Sequence, residues 1–399
     1  MSFRFAHMSD CHLGSWSNHP EMKDKTLEAF KMAIDTCISE NVDFIIVAGD
    51  LLDTSLPGVD VLKHVASVFR KCKEAGIPIY IVAGSHDYSP TGKTMLSVFE
   101  NAGLIVDVAK YHDDGERVRL DFTVDEKTGA KIAGVFGKKG SLEVEMFQRL
   151  EVAEEDGPKI FVFHCGIDEH RVIKGMTSVP VSLLPAGFDY YATGHIHVKR
   201  IYDINGKKIG FPGPLFPTSF DELEDYNSGF YIIDYNKGNV AVERKNIKLF
   251  DVLLVEEGAD GRTSSEVESR VMEKINKNLD NTLVLVKVSG VLNSGKPSDI
   301  DFKAIANRAE SLGAITLKKN ISKLVSPSLE EVEVEAASMD EVERRIVAEH
   351  ADKMKLMGKD TADLITSLMN VMKDEKGEDE TNATFEEKIK ENSKRLLGL

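Results

Sequence analysis

Side chains able to hold metal ions or move protons fall in five short clusters along the chain. They are Asp10-Cys11-His12, Gly49-Asp50-Leu51-Leu52-Asp53, Gly84-Ser85-His86-Asp87, His164, and Gly194-His195-Ile196-His197. Carboxylates and imidazoles together suit Mn²⁺, Fe²⁺ or Zn²⁺ better than a soft, thiolate-seeking ion. One carboxylate can bridge two ions, and Asp50 is the candidate for it. A lone histidine after a strand is ordinarily a satisfied core residue. Five clusters, each following an apolar run, point instead to a metal site.

The elements that must position these clusters are legible. Short apolar runs at Phe3–Ser9, Asp43–Ala48 and Ile77–Ala83 predict buried strands, with helical patterns at about 21–40 and 58–75 between them. That alternation predicts an α/β fold with helices outside the sheet. Strand-like runs continue at 159–164, 188–193, 198–204, 207–212 and 228–235, with fewer helices between, as in a two-sheet core flanked by helices. The ends of such strands are where loops converge on a site. After residue 250 the pattern becomes strand 251–255, helix 264–278, strand 282–289, helix 299–312 and strand 314–319, a small α+β unit. An acidic stretch follows. Ser338 and Glu341 then form a capping-box pattern, followed by Val342, Ile346, Met354 and Met357, with Gly358 as a stop. A further helix is expected at about 360–373. A last one opens with Thr384 and Glu387 in the same pattern and carries Phe385, Ile389 and Leu396.

The 399 residues suit two or three domains, and 42% hydrophobic content is ample for their cores. No apolar run approaches a membrane span, and the start lacks a charged leader, which predicts a cytoplasmic protein. Cys11, Cys37, Cys72 and Cys165 are scattered and read as reduced, buried thiols. The net charge of −16 looks wrong for a nucleic-acid binder. From Glu330 to Leu399, however, there are 19 acidic and 11 basic residues, so half of the excess lies in the tail. Bound cations would offset part of the remainder, so local patches must decide the partner.

The ordered series of five clusters resembles the calcineurin-like metallophosphoesterase superfamily, whose pattern is DxH, GDxxD, GNH[DE], H and GHxH. The resemblance spans about 1–235 and implies a two-sheet sandwich holding two divalent ions. One ion would take Asp10, His12, Asp50 and His197; the other would take Asp50, Ser85, His164 and His195. Two-metal centres of this type acidify a water and clamp phosphate oxygens. His86 would stabilise the charged transition state or protonate the leaving oxygen, and Asp87 would orient His86. Asp53 is either an outer orienting residue or a loop cap. Ser85 stands where the family has Asn, and a neutral hydroxyl is a weaker ligand than an amide carbonyl, so the second ion is expected to bind less tightly.

Phe-Ala-His-Met-Ser-Asp-Cys-His-Leu-Gly near the start, Val-Ala-Gly-Asp-Leu-Leu-Asp-Thr-Ser-Leu-Pro after it, the α+β unit and the helical tail narrow the resemblance. Together they are similar to the double-strand-break repair nucleases of the meiotic recombination eleven and SbcD type, archaeal in style. That family implies Mn²⁺-dependent 3′→5′ exonuclease action on duplex DNA and endonuclease action on single strands. It also implies a homodimer and a coiled-coil ABC-type ATPase as partner. The expected layout is a nuclease domain at 1–250, a DNA-facing capping domain at 251–325, and an acidic linker with partner-binding helices at 326–399. Candidate DNA contacts are Trp16, His19, Lys138, Lys139, Arg171, Lys174, Lys199 and Arg200. Phe385, Ile389 and Leu396 suit helix-in-groove docking on the partner. Val61, Leu62, Val65 and Phe69, with Met95, Leu96 and Phe99, are dimer-face candidates, although such stripes are more often core. Rival readings are a phosphatase or small-molecule phosphodiesterase with the same metal core, and a non-catalytic scaffold at DNA ends.

Overall fold

Stretches of β-branched and aromatic residues with no polar interruption form strands covered on both faces. Phe44–Ala48 is the plainest case, with all five residues buried. The computed structural model describes residues 1–89, 94–137, 142–170, 178–204, 206–326, 361–372 and 382–397. By internal contacts the chain divides into Met1–Pro327 and Ser328–Leu399.

Two six-stranded mixed sheets form the main body. In the first, Ser2–Met8 is flanked by Phe44–Ala48 in parallel and by Gly229–Asn236 antiparallel. Ile79–Val82 continues the parallel side beyond Phe44–Ala48, and Asn239–Asn246 closes the antiparallel side. In the second, Lys159–Val162 lies parallel between Lys131–Gly134 and Tyr190–Ala192, and Lys207–Phe211 extends the parallel side. Phe5, Phe44, Ile46, Val82, Ile132, Ile160, Val162 and Tyr190 form one buried cluster joining the two sheets. This is the two-sheet α/β arrangement expected from the sequence.

The helices Pro20–Ser39 and Val59–Glu74 cover the first sheet. Pro20 is at the first turn, where its missing N–H costs nothing, and Met22, Thr26, Ala29, Phe30, Ala33 and Cys37 recur at helical spacing on the buried face. Val61, Val65 and Phe69 are buried beneath the second helix, and Leu96 and Phe99 are buried in the same core. Leu62 and Met95 pack against it. These side chains, dimer-face candidates for which core was the commoner reading, lie in or against the protein's own core. All four cysteines are buried.

Beyond residue 250, strands Asp251–Gly258, Thr282–Val291 and Thr316–Val325 form one sheet with helices Ser264–Lys274 and Phe302–Ser311. The elements follow in the expected order, and the sheet is wholly parallel, so the unit is a β-α-β-α-β succession. Thr263 and Glu266 close a capping box at the first of these helices. Val267, Val271, Val284, Val286 and Ile305 belong to the unit's own core.

In Ser328–Leu399 the helices Thr361–Met372 and Asn382–Leu397 pack against one another. The second begins at Asn382, so Thr384 lies within its first turn rather than capping it. Phe385, Ile389 and Leu396 are half-buried. The expected helix after Ser338 lies outside the described residues. Among the described residues no helix is long and apolar enough to cross a membrane.

Candidate metal centre

The five clusters converge because each follows the C-terminal end of a parallel strand. Asp10 and His12 follow Ser2–Met8, Asp50 and Asp53 follow Phe44–Ala48, and Ser85-His86-Asp87 follows Ile79–Val82, all in the first sheet. His164 follows Lys159–Val162, and His195 and His197 follow Tyr190–Ala192, in the second. The loops after the first two strands are zipped together. Asp10 N–H donates to Gly49 O at 3.1 Å, His12 N–H to Asp50 O at 3.1 Å, and Leu13 N–H to Leu51 O at 3.0 Å. Asp10 Oδ1 in turn accepts from His195 N–H at 2.9 Å, tying the two sheets' loops.

This tight convergence bends the backbone. Of the nine described non-glycine residues with positive φ, five belong to the site: Asp10 (50°), His12 (42°), Asp50 (49°), His195 (81°) and His197 (49°). Side chains seldom adopt this region, and such outliers persist where the surroundings over-determine them. Gly49 shows the crowding. It has φ +85°, and a Cβ there would lie 2.2 Å from His164 Nδ1. At Gly84 a Cβ would come within 2.3 Å of the Asp50 backbone nitrogen.

The side chains form overlapping groups able to hold metal: Asp10, His12 and His197; then Asp50, His164 and His195; and a third joining His12, Asp50 and His86. His12 Nε2 and His197 Nε2 face each other at 3.1 Å. Two lone pairs cannot share that space without a proton or a cation between them, so this donor set fits a divalent ion. Asp50 belongs to both sides, with Oδ2 at 3.0 Å from His164 Nε2 and 3.8 Å from His12 Nε2. His164 Nδ1–H donates to Ala48 O at 2.8 Å, which leaves Nε2 aimed inward. Burial disfavours a charge on His164, but the Asp50 carboxylate outweighs it and pushes the pKa up to about 10. Burial likewise opposes ionised Asp50, yet His164 and His12 hold its carboxyl far below the ordinary range. Burial and the charge on His164 push His195 down to about 4. Metal binding would exchange a proton on His164 for an ion.

Other expected residues fall into place differently. His86 is exposed; its N–H donates to Asp50 Oδ1 at 2.8 Å, and its Nδ1–H donates to Asp53 O at 2.8 Å. Ser85 Oγ lies 3.4 Å from Asp50 Oδ2. Asp53 Oδ1 lies 3.4 Å from His12 Nδ1, close enough to face the ring but without a hydrogen bond to it. Asp87 does not orient His86 from the surface. It is fully buried and accepts from the backbone N–H groups of Gly84, Leu51 and Leu52, so it clamps the second and third loops together. Burial, with Asp50 nearby, pushes its pKa up to about 6.

One residue of the site escaped the sequence reading. Glu222 Oε1 accepts from His197 Nδ1–H at 2.8 Å. Burial disfavours its charge, but the bond to His197 keeps its pKa lowered. The available signal was a helix start at Ser219, whose hydroxyl accepts from Glu222 N–H; nothing in it named His197 as the partner.

Among the candidate DNA contacts, Lys199 and Arg200 are exposed directly after His197, and the Arg200 guanidinium lies 5.9 Å from the Tyr202 ring centre. Trp16 is engaged within the protein: its indole N–H donates to Pro217 O at 2.8 Å, and Lys318 Nζ lies 4.5 Å from its ring centre. Burial pushes that lysine down to about 8. The His19 ring lies edge-on to Trp16 at 6.3 Å. Lys138, Lys139, Arg171 and Lys174 lie outside the described residues.

The calcineurin-like phosphoesterase family matches residues 3–199, a stretch that contains every one of the five clusters. The chain is a calcineurin-like metallophosphoesterase. Within that family it is distantly related to archaeal proteins. The DNA double-strand break repair protein Mre11 of Sulfurisphaera tokodaii is 28% identical over 60% of this chain, and the match spans 62% of that relative's length. The protein of the same name from Thermoplasma acidophilum is 27% identical over 91% of this chain and 96% of its own. An uncharacterized metallophosphoesterase of Bacillus subtilis, YhaO, is 26% identical over 60% of this chain and 59% of its own.

Proposed function

We propose that this metallophosphoesterase is a DNA nuclease that holds two divalent ions, most favourably Mn²⁺. It would act as a 3′→5′ exonuclease on duplex DNA and an endonuclease on single strands in double-strand-break repair. The observation that carries the reading is Asp50, whose carboxylate lies 3.0 Å from His164 and 3.8 Å from His12, in a chain related along nearly its whole length to a protein named for break repair.

Ions bound there would supply an activated water and neutralise phosphate charge. The protein's own part is positioning. Asp10, His12 and His197 offer one set of donors; Asp50, His164, His195 and Ser85 offer the other. A carbonyl can only accept, so the bond to Asp53 O makes His86 Nδ1 a donor and leaves Nε2 open to the site. With a second proton on Nε2 the ring would donate a hydrogen bond to a charged phosphate or pass that proton to the departing oxygen. Lys199 and Arg200 are the described cations best placed to meet a flanking phosphate.

On this reading the unit after residue 250 is a DNA-facing cap. The helices Thr361–Met372 and Asn382–Leu397 would dock on a coiled-coil ABC-type ATPase through Phe385, Ile389 and Leu396, in a complex containing two copies of this chain. Deleting 338–399 should abolish that docking.

The test is Mn²⁺-dependent digestion of a 3′-labelled DNA duplex by this chain and by its His86→Ala variant. Loss of label with the native chain alone is expected. Hydrolysis of bis-p-nitrophenyl phosphate without any action on DNA, alone or with the ATPase, would overturn the nuclease reading in favour of a small-molecule phosphodiesterase.

A further inference from the structure

The helix Phe220–Glu224 is only five residues long, so its place is set by what its side chains hold. Leu223 is fully buried. The two oxygens of Glu222 are divided: Oε2 accepts from Thr218 N–H at 2.7 Å and from Thr218 Oγ1 at 3.2 Å, while Oε1 accepts from His197 Nδ1–H at 2.8 Å. Two residues on, Glu224 takes Lys287 with both oxygens, at 2.7 and 3.0 Å. Lys287 belongs to the middle strand of the parallel sheet beyond residue 250. A single short segment thus touches a histidine of the metal centre at one side chain and the parallel sheet beyond residue 250 at another.

We propose that Glu222 is a positioning residue for His197, braced from the parallel sheet beyond residue 250 by the Lys287–Glu224 pair. Its Oε1 fixes the ring so that Nε2, not Nδ1, meets the ion opposite His12. Carboxylates that take the second nitrogen of a ligating imidazole in this way set its tautomer and ring angle, and their loss typically lowers metal affinity about 10–100-fold. Thr218 alone would account for a carboxylate capping a turn. It does not account for the second oxygen being spent on His197. The inference rests on the two-metal reading above, with His197 as a ligand.

The test is calorimetric titration of the full metal-free chain with Mn²⁺, paired with nitrogen-15 spectra of its histidine rings. The native chain should bind two ions; binding of fewer would overturn the two-metal reading itself. Glu222→Ala should weaken one ion by about 10–100-fold and leave the other unchanged, with the His197 Nδ1–H tautomer lost. Glu222→Gln, whose carbonyl still accepts from Nδ1–H, should restore that tautomer and most of the affinity. Lys287→Ala should weaken the same ion by roughly threefold. Should the alanine variant not fold, Glu222→Asp, which draws the carboxylate back by one methylene, must show the same one-sided loss. Native affinities in Glu222→Ala, or equal weakening of both ions, would overturn the positioning role. An unchanged Lys287→Ala would overturn the brace.

Discussion

On one side of Asp50 the imidazoles are faced by carboxylates, Glu222 at 2.8 Å from His197 and Asp53 at 3.4 Å from His12. On the other side His164 is aimed by a main-chain carbonyl, that of Ala48, at 2.8 Å. The first half therefore owes its geometry to side chains that one substitution can remove. The second half owes its geometry to the register of the sheets, which no side-chain change short of unfolding will alter. Chemistry runs the other way. The first half has two imidazoles and a carboxylate of its own, whereas the second, beyond Asp50, His164 and His195, has only the proposed Ser85 hydroxyl to add, a poor donor. A firm scaffold with a weak ligand faces a richer ligand set on a more adjustable scaffold.

The largest effect should come from the residue common to both halves. Asp50→Ala is expected to abolish binding of both ions and to lower phosphodiester hydrolysis on the order of a thousandfold or more. Retention of one ion, seen by metal analysis of the dialysed protein, would show that the halves are independent after all. His86→Ala should leave both ions in place and lower kcat by roughly 10²–10⁴-fold, measured under saturating Mn²⁺. A fall in occupancy there would make His86 a ligand of the third group rather than a proton carrier. Ser85→Asn should act on the second half alone, tightening one ion by about tenfold. Unchanged occupancy and turnover would remove the proposed weakness.

The smallest expected effect is on the metal-free fold. His164 has its pKa raised above the ordinary value, to about 10, by buried Asp50. The stabilisation from protonated His164 is then complete below about pH 6.5 and is lost as pH rises toward 10. Thermal unfolding of the metal-free chain should accordingly move to lower temperature across that window. Saturating Mn²⁺ should flatten the trend, because the ion takes the proton's place. A Tm that rises with pH in the metal-free chain would contradict the His164–Asp50 pairing.

The metal centre was legible because its residues announce themselves twice, by type and by following apolar runs that can only be strands. Asp10, Asp50 and His86 could be placed at strand ends from the sequence for that reason. Asp87 was legible as a member of the cluster but not in its role: an aspartate beside a histidine suggests a partnership, and only the fold shows it turned inward onto Leu51 and Leu52. Glu222 lies 25 residues from His197, and no periodicity relates a helix start to a histidine on a loop. Strands such as Val106–Asp107, Tyr111–Asp113 and Thr123–Val124 are two or three residues long, below the length at which alternation can be read. The stripe on the second helix was readable as more often core than dimer face, and its spacing could take that preference no further. A helix carries the same apolar spacing whether it covers its own sheet or another molecule, and here Val61, Val65 and Phe69 cover their own.

The left-handed backbone at Asp10, His12, Asp50, His195 and His197 has a consequence for any experiment that evolves the protein. Each of these residues holds a conformation that glycine adopts without steric penalty, at a cost of roughly 1 kcal/mol or more apiece for a bulky side chain. Selection for heat resistance alone, with no demand on catalysis, should therefore admit glycine more readily at His12, His195 and His197 than at Asp10 and Asp50, whose carboxylates hold the His195 N–H and the His164 ring. A library screened in that way would map the site by what it discards, and would do so without a substrate.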